Sequence, residues 1–149
     1  MINTLRHIDL KDAPFRLEEL VPKEIFRLFG DQSISFIDPI AFRVLLHFRK
    51  TFGSTYVNTW VFGGDRQFAG YRPPDCEIGA KYSQHKRGAA FDPVAKNYTA
   101  AETYEEILIN SAEWMDLGLT TVENIEHTPT WNHLDTRITN LTELLKVNP

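Results

Sequence analysis

The stretch Y-S-Q-H-K-R-G-A-A-F-D-P, residues 82–93, sets His85 and Asp92 seven positions apart, with Gly88, Ala89 and Ala90 between them. If 89–94 is extended, Ala90 and Asp92 point to the same face, and the small Ala90 leaves space above it. Gly88 permits a sharp turn that folds His85 back over that space. Farther along, in W131-N-H-L-D-T-R137, alternation puts Trp131, His133, Asp135 and Arg137 on one face. His133 is therefore a candidate third ligand beside His85 and Asp92. Two imidazoles and one carboxylate form a donor set that holds zinc and leaves a fourth position open. A cation held that way acidifies a water molecule and polarises a carbonyl, which is hydrolase chemistry. A capped turn and a buried histidine would explain the same spacing, so the spacing alone leaves both readings open. His7 and His47 read as packing or surface residues.

Several elements must position these residues. Pro22, followed by a short apolar-periodic run and Gly30, predicts a short helix. Asp38-Pro39 opens a firmer one in which Ile40, Val44, Leu45 and Phe48 recur at helical spacing until Gly53. Residues 56–62, rich in β-branched and aromatic side chains and closed by Gly63-Gly64, predict a strand. Residues 70–88, with Pro73, Pro74 and Gly79, predict a loop. A strand is expected over 89–94. A capping box at Thr99 and Glu102 opens a helix to about Met115, with Tyr104, Ile107, Leu108 and Ala112 on its buried side. The tail predicts a hairpin: 122–126, the link H-T-P-T, then 131–137. Strand pairs lie between and after helices with no βαβ rhythm, so an α+β fold with a small antiparallel sheet flanked by helices is expected.

The chain has 149 residues, of which 42% are hydrophobic, enough to bury a core as one domain over 1–149. A net charge of -4 at pH 7 argues against a nucleic-acid partner. The apolar runs are too short to span a bilayer, and charges scattered through residues 1–20 leave no signal-peptide core. Cytoplasmic synthesis without a signal peptide is therefore expected. The single Cys76 excludes an internal disulfide and a cysteine-based zinc site.

S83-Q-H-K-R-G-A-A-F-D92 resembles, at every defined position, the Ser-x-His-x-x-Gly-x-Ala-x-Asp signature of the zinc D-Ala-D-Ala peptidase family. That family includes D,D-carboxypeptidases, vancomycin-resistance dipeptidases and phage endolysins, and the Hedgehog signalling domain shares its fold. W131-N-H133 is similar to the closing Trp-x-His element, and A69-G-Y-R72 to a Ser-Gly-Tyr-Arg segment upstream. The three elements fall in the family's order across residues 69–137. The resemblance implies Zn²⁺ on His85, Asp92 and His133, with Ser83 supporting the first ligand. It implies that Arg72 orients a substrate carbonyl or carboxylate through its fork of donors; a surface arginine closing a loop is the other reading. Trp131 either walls the pocket or fills core.

The pattern breaks at Thr130, where many members carry a catalytic Glu three residues before the last histidine. A threonine cannot take the proton at neutral pH. With 127–130 as the hairpin link, residue 126 pairs with 131 and 124 with 133. Glu126 then shares the face of His133 and is the expected base, while Glu123 faces the opposite side; a one-residue slip reverses that choice. His127 is a further candidate. The expected function is a zinc peptidase acting on peptidoglycan peptides, as D,D-carboxypeptidase or endopeptidase. A phage lysis or entry enzyme of this kind would reach the wall through a holin or with other virion or lysis proteins. The alternative, motivated by Thr130, is an inactive virion structural or wall-binding module that keeps the fold.

Overall fold

A computed structural model describes residues 8–149, so His7 and the first residues of the charge-scattered N-terminal stretch lie outside it. The architecture is α+β, as expected, with two small sheets. Helix α1 (Lys23–Phe29) runs from Pro22 to Gly30 and is followed by a 3-10 stretch over Gly30–Phe36. Helix α2 (Pro39–Phe52) is capped by Asp38, whose Oδ1 accepts from the amides of Ile40 at 2.7 Å and Ala41 at 3.1 Å. That cap satisfies two of the donors a helix start leaves unpaired.

The apolar stripe of α2 is wide enough to serve two cores. Ala41, Phe42 and Leu45 pack with Leu20, Val21, Tyr71 and Phe91, whereas Val44, Phe48 and Phe52 pack with Ile107, Trp114, Val122 and Leu134.

The strand expected over 56–62 shrinks to β1 (Thr55–Tyr56), and Trp60–Phe62 coils into a 3-10 turn. Side chains there supply bonds that a ladder would otherwise make. The buried Asn58 amide donates to Val21 O at 3.1 Å and accepts from Ala69 N at 3.0 Å, and Trp60 Nε1 donates to Val21 O at 2.9 Å. Tertiary contacts override strand propensity here. The run 89–94 likewise splits, into β2 (Ala90–Phe91) and β3 (Val94–Ala95). Pro93 brings no N–H, and Asp92 N turns to Ala69 O at 2.7 Å. Strand β3 pairs antiparallel with β1, and β2 enters the larger sheet.

The helix expected to reach Met115 breaks at Asn110 into α3 (Ala100–Ile109) and α4 (Ser111–Leu117). Asn110 Nδ2 donates to Glu106 O at 3.3 Å across the end of α3. Ala112 is left exposed, while Thr103 and Trp114 are buried beside the expected Ile107. The capping box forms in both directions: Glu102 N donates to Thr99 Oγ1 at 3.1 Å and Thr99 N to Glu102 Oε2 at 2.7 Å.

The larger sheet orders β2-β5-β4-β6, with β4 (Thr121–Glu123), β5 (Leu134–Asp135) and β6 (Leu145–Val147). It is mixed rather than antiparallel throughout, since β6 runs parallel to β4. Residues 124–133, not the four-residue link, separate the hairpin strands, and Thr121 pairs with Asp135 and Val122 with Leu134. One face, carrying Phe91, Val122 and Leu134, covers the cores. The other carries Ala90, Thr121 and Asp135.

Gly88 shows how tightly the loop before β2 is seated. Its φ is 67°, a Cβ there would lie 1.8 Å from Phe36 O, and its own carbonyl accepts from Asp38 N at 3.1 Å. Gly88→Ala is expected to cost about 2–4 kcal/mol, combining left-handed strain with overpacking. A lowered urea midpoint with an unchanged m-value would report it.

Candidate metal centre

His85 lies on a 3-10 turn (Gln84–Arg87) that Ser83 begins, its Oγ accepting from His85 N at 3.3 Å, and that Gly88 ends. Asp92 follows β2 on the face of Ala90, and His133 precedes β5. All three are buried, at 2%, 6% and 5% exposure. His85 Nε2 lies 3.2 Å from Asp92 Oδ1 and 3.3 Å from His133 Nδ1, and His133 Nδ1 lies 2.9 Å from Asp92 Oδ1. The three side chains can hold a metal ion.

The outer atom of each ligand is also held. His85 Nδ1 donates to Gly70 O at 2.8 Å, and because a carbonyl only accepts, the proton sits on Nδ1. His133 Nε2 lies 2.9 Å from Asp135 Oδ2, which leaves Nδ1 as the free lone pair. Asp135 is wholly buried and gripped by Arg137, whose Nε donates to Oδ1 at 2.9 Å and to Oδ2 at 3.1 Å. Asp92 Oδ2 accepts from Arg72 Nη2 at 3.2 Å. Two ring lone pairs and a carboxylate oxygen thus face one another in a buried space, and such a trio of acceptors calls for a proton or a cation between them. Outer partners of this kind fix the tautomer and orientation of metal-binding histidines.

In the metal-free protein a proton fills that role. Burial opposes charge on His133, but Asp135 and Asp92 outweigh it and push its pKa up to about 10. Burial likewise raises Asp92, yet the His85 and His133 imidazoles hold it well below the usual carboxylate range. Asp135 is lowered too, burial being outweighed by His133 and Arg137. The raised His133 stabilises the fold fully below its unfolded value of about 6.5, and that stability is lost as pH climbs through about 10. The lowered carboxylates stabilise it above about pH 4, and that contribution is lost as pH falls. Metal-free protein is therefore expected to be most stable between about pH 4 and 6.5, with a urea midpoint that drops steadily from pH 7 to 10. A flat midpoint over that range would contradict the buried proton.

A cleft of about 620 Å³ opens over the cluster, bounded by Arg72, Tyr82, Glu123, Trp131 and Arg137. Trp131 walls it rather than filling core. Ser83 also lines the cleft, although its hydroxyl caps the turn. The donors of Arg72 go to Phe68 O at 2.6 Å, Ile78 O at 3.5 Å and Asp92, so in this state it orients a ligand and closes a loop.

The expected placement of Glu126 is corrected. The observed register differs by one residue from the 126–131 pairing, and residues 124–130 fold as turns, with His127 N on Asn124 O and Thr128 N on Ile125 O. Glu126 is exposed and does not line the cleft; Thr130 is exposed as well. Glu123 takes the place beside the cluster, half-buried, with Oε1 4.0 Å from His133 Nδ1. His127 is exposed at the cleft rim. His47 packs on Trp114 at 4.5 Å and pairs with Glu113 at 3.3 Å, away from the cleft.

The outer roles of Asp135 and Arg137 were not anticipated, although alternation had placed both on the face of His133. The buried Asn132, which accepts from Thr103 Oγ1 and donates to Ala100 O at 3.1 Å, ties the His133 segment to α3 and had no sequence signal. No family model matches the chain, and no curated protein or solved structure resembles it at a significant level.

Proposed function

We propose that the protein is a zinc-dependent peptidase that hydrolyses peptide bonds of bacterial peptidoglycan, as a D,D-carboxypeptidase or endopeptidase with the Hedgehog-like fold of the family its motifs resemble. One observation carries the reading: His85 Nε2, Asp92 Oδ1 and His133 Nδ1 converge with separations of 2.9–3.3 Å. Tetrahedral zinc with bonds of about 2.0–2.2 Å spaces its ligands about 3.3 Å apart. The same donors also suit iron(II), so metal content decides the metal. The bound cation would supply Lewis acidity toward a carbonyl and toward water.

The chain's own residues would do the rest. Glu123 would take a proton from the attacking water at a carboxylate oxygen and pass it to the leaving amine. Arg72 keeps the second oxygen of Asp92 engaged, Asp135 keeps Nδ1 of His133 turned inward, and Trp131 shields one side of the cleft from water. Among the described residues no helix is long and apolar enough to cross a membrane.

Purified protein should retain stoichiometric zinc and release amino groups from peptidoglycan, with the activity lost to a chelator and restored by zinc. Zinc-loaded protein that releases nothing over a wide pH range overturns the peptidase reading. The exposed Thr130, at the family's usual Glu position, favours an inactive virion structural or wall-binding module in that event. Such a module, or the phage enzyme itself, would work alongside other virion or lysis proteins.

A further inference from the structure

Two guanidiniums border the cleft, and they are not equivalent. The Arg72 side chain is 11% exposed, and its Nε, Nη1 and Nη2 all reach acceptors of the chain. Arg137 is 31% exposed and lies in the cleft with His133 and Glu123. Both of its side-chain contacts go to one buried carboxylate: Nε and Nη2, its side-on edge, grip Asp135. The end-on edge, Nη1 with the second N–H of Nη2, meets no acceptor among the described residues. A guanidinium has five donors in a plane, and a carboxylate bound side-on leaves a second fork of matching geometry. Asp135, wholly buried and anchored to His133, fixes the orientation of that plane, so little side-chain entropy remains to be lost on binding.

We infer that the end-on edge of Arg137 is a recognition site for a substrate carboxylate, selecting peptides with a free carboxylate close to the scissile carbonyl. The choice of peptides as ligands rests on the peptidase reading. Arg137 thereby has two partners at once: Asp135 behind it, which positions His133, and the substrate acid in front. Arg72, which sequence resemblance had suggested for this task, is the more buried of the two, and each of its three nitrogens already reaches an acceptor of the chain.

The test uses the full zinc-loaded chain and two probes, a peptidoglycan stem peptide ending in a free carboxylate and the same peptide with that carboxyl amidated. Affinity is read by calorimetry, which does not depend on turnover. The native protein should bind the acid at least about tenfold more tightly than the amide. Arg137→Lys, which keeps the charge but loses the fork, should cut that preference to less than about threefold. In hydrolysis the loss should appear in KM more than in kcat. Asp135→Asn, which loosens His133 and Arg137 together, should weaken zinc binding about 10–100-fold and also reduce the acid preference at saturating zinc. Equal affinity of the native protein for acid and amide, or an unchanged preference in Arg137→Lys, overturns the inference. An acid preference that Arg137→Lys abolishes, in a protein that hydrolyses neither probe, supports the carboxylate site and overturns the peptidase reading instead.

Discussion

Glu123→Gln is expected to lower turnover on peptidoglycan by about 10²–10⁴-fold, the usual contribution of a positioned general base, while zinc content is unchanged. The reason is geometric. Continuing the β4–β5 register sets Glu123 opposite His133, and its Oε1 lies 4.0 Å from the inward-facing ring nitrogen. That is too long for a primary ligand and suited to a group one water molecule from the site. Glutamine keeps the shape and a hydrogen-bonding oxygen but cannot accept the proton. Glu126→Gln, on the exposed link, should retain native turnover. Parallel measurements of kcat and bound zinc decide the matter: undiminished kcat in Glu123→Gln removes that carboxylate from the chemistry, and loss in Glu126→Gln returns it to the other.

His85→Ala should abolish activity through the metal itself. Removing one of three donors should weaken zinc binding by more than about 100-fold, beyond the loss seen for an outer partner. His85 is the cleanest ligand to remove, because Asp92 keeps His133 and Arg72 as partners and the group left unpaired is the Gly70 carbonyl. The expected folding cost is about 1–3 kcal/mol. Elemental analysis after dialysis, beside a urea titration, separates metal loss from unfolding. Stoichiometric zinc in a folded His85→Ala protein would exclude the three-residue site.

How much was legible in the sequence follows physical lines. Several local signals read correctly, although Asn110 and Pro93 broke a helix and a strand that the sequence had run through. Asp38-Pro39 and Gly53 bound α2, Thr99 and Glu102 close their box, and alternation put Ala90 on the site face with Asp92 and aligned His133, Asp135 and Arg137. Non-local signals did not. Asn58 and Trp60 bond to Val21, nearly forty residues away, and no window around residues 56–62 contains that partner. The carboxylate beside the cluster was misread by a parity error. A strand's side chains alternate, so a link read as four residues when 124–133 intervene moves every facing assignment to the other side. The convergence of His85, Asp92 and His133 escaped this error because it depended on a turn and on strand alternation, not on pairing across the sheet.

Helix α2 carries one more implication. Because its side chains belong to both apolar clusters, neither cluster can loosen without exposing half of the same helix. The amides of α2 should therefore exchange their hydrogens only when the whole molecule opens. Loading the cleft with zinc should slow that exchange by the full binding free energy, although no residue of the three-residue cluster comes from α2.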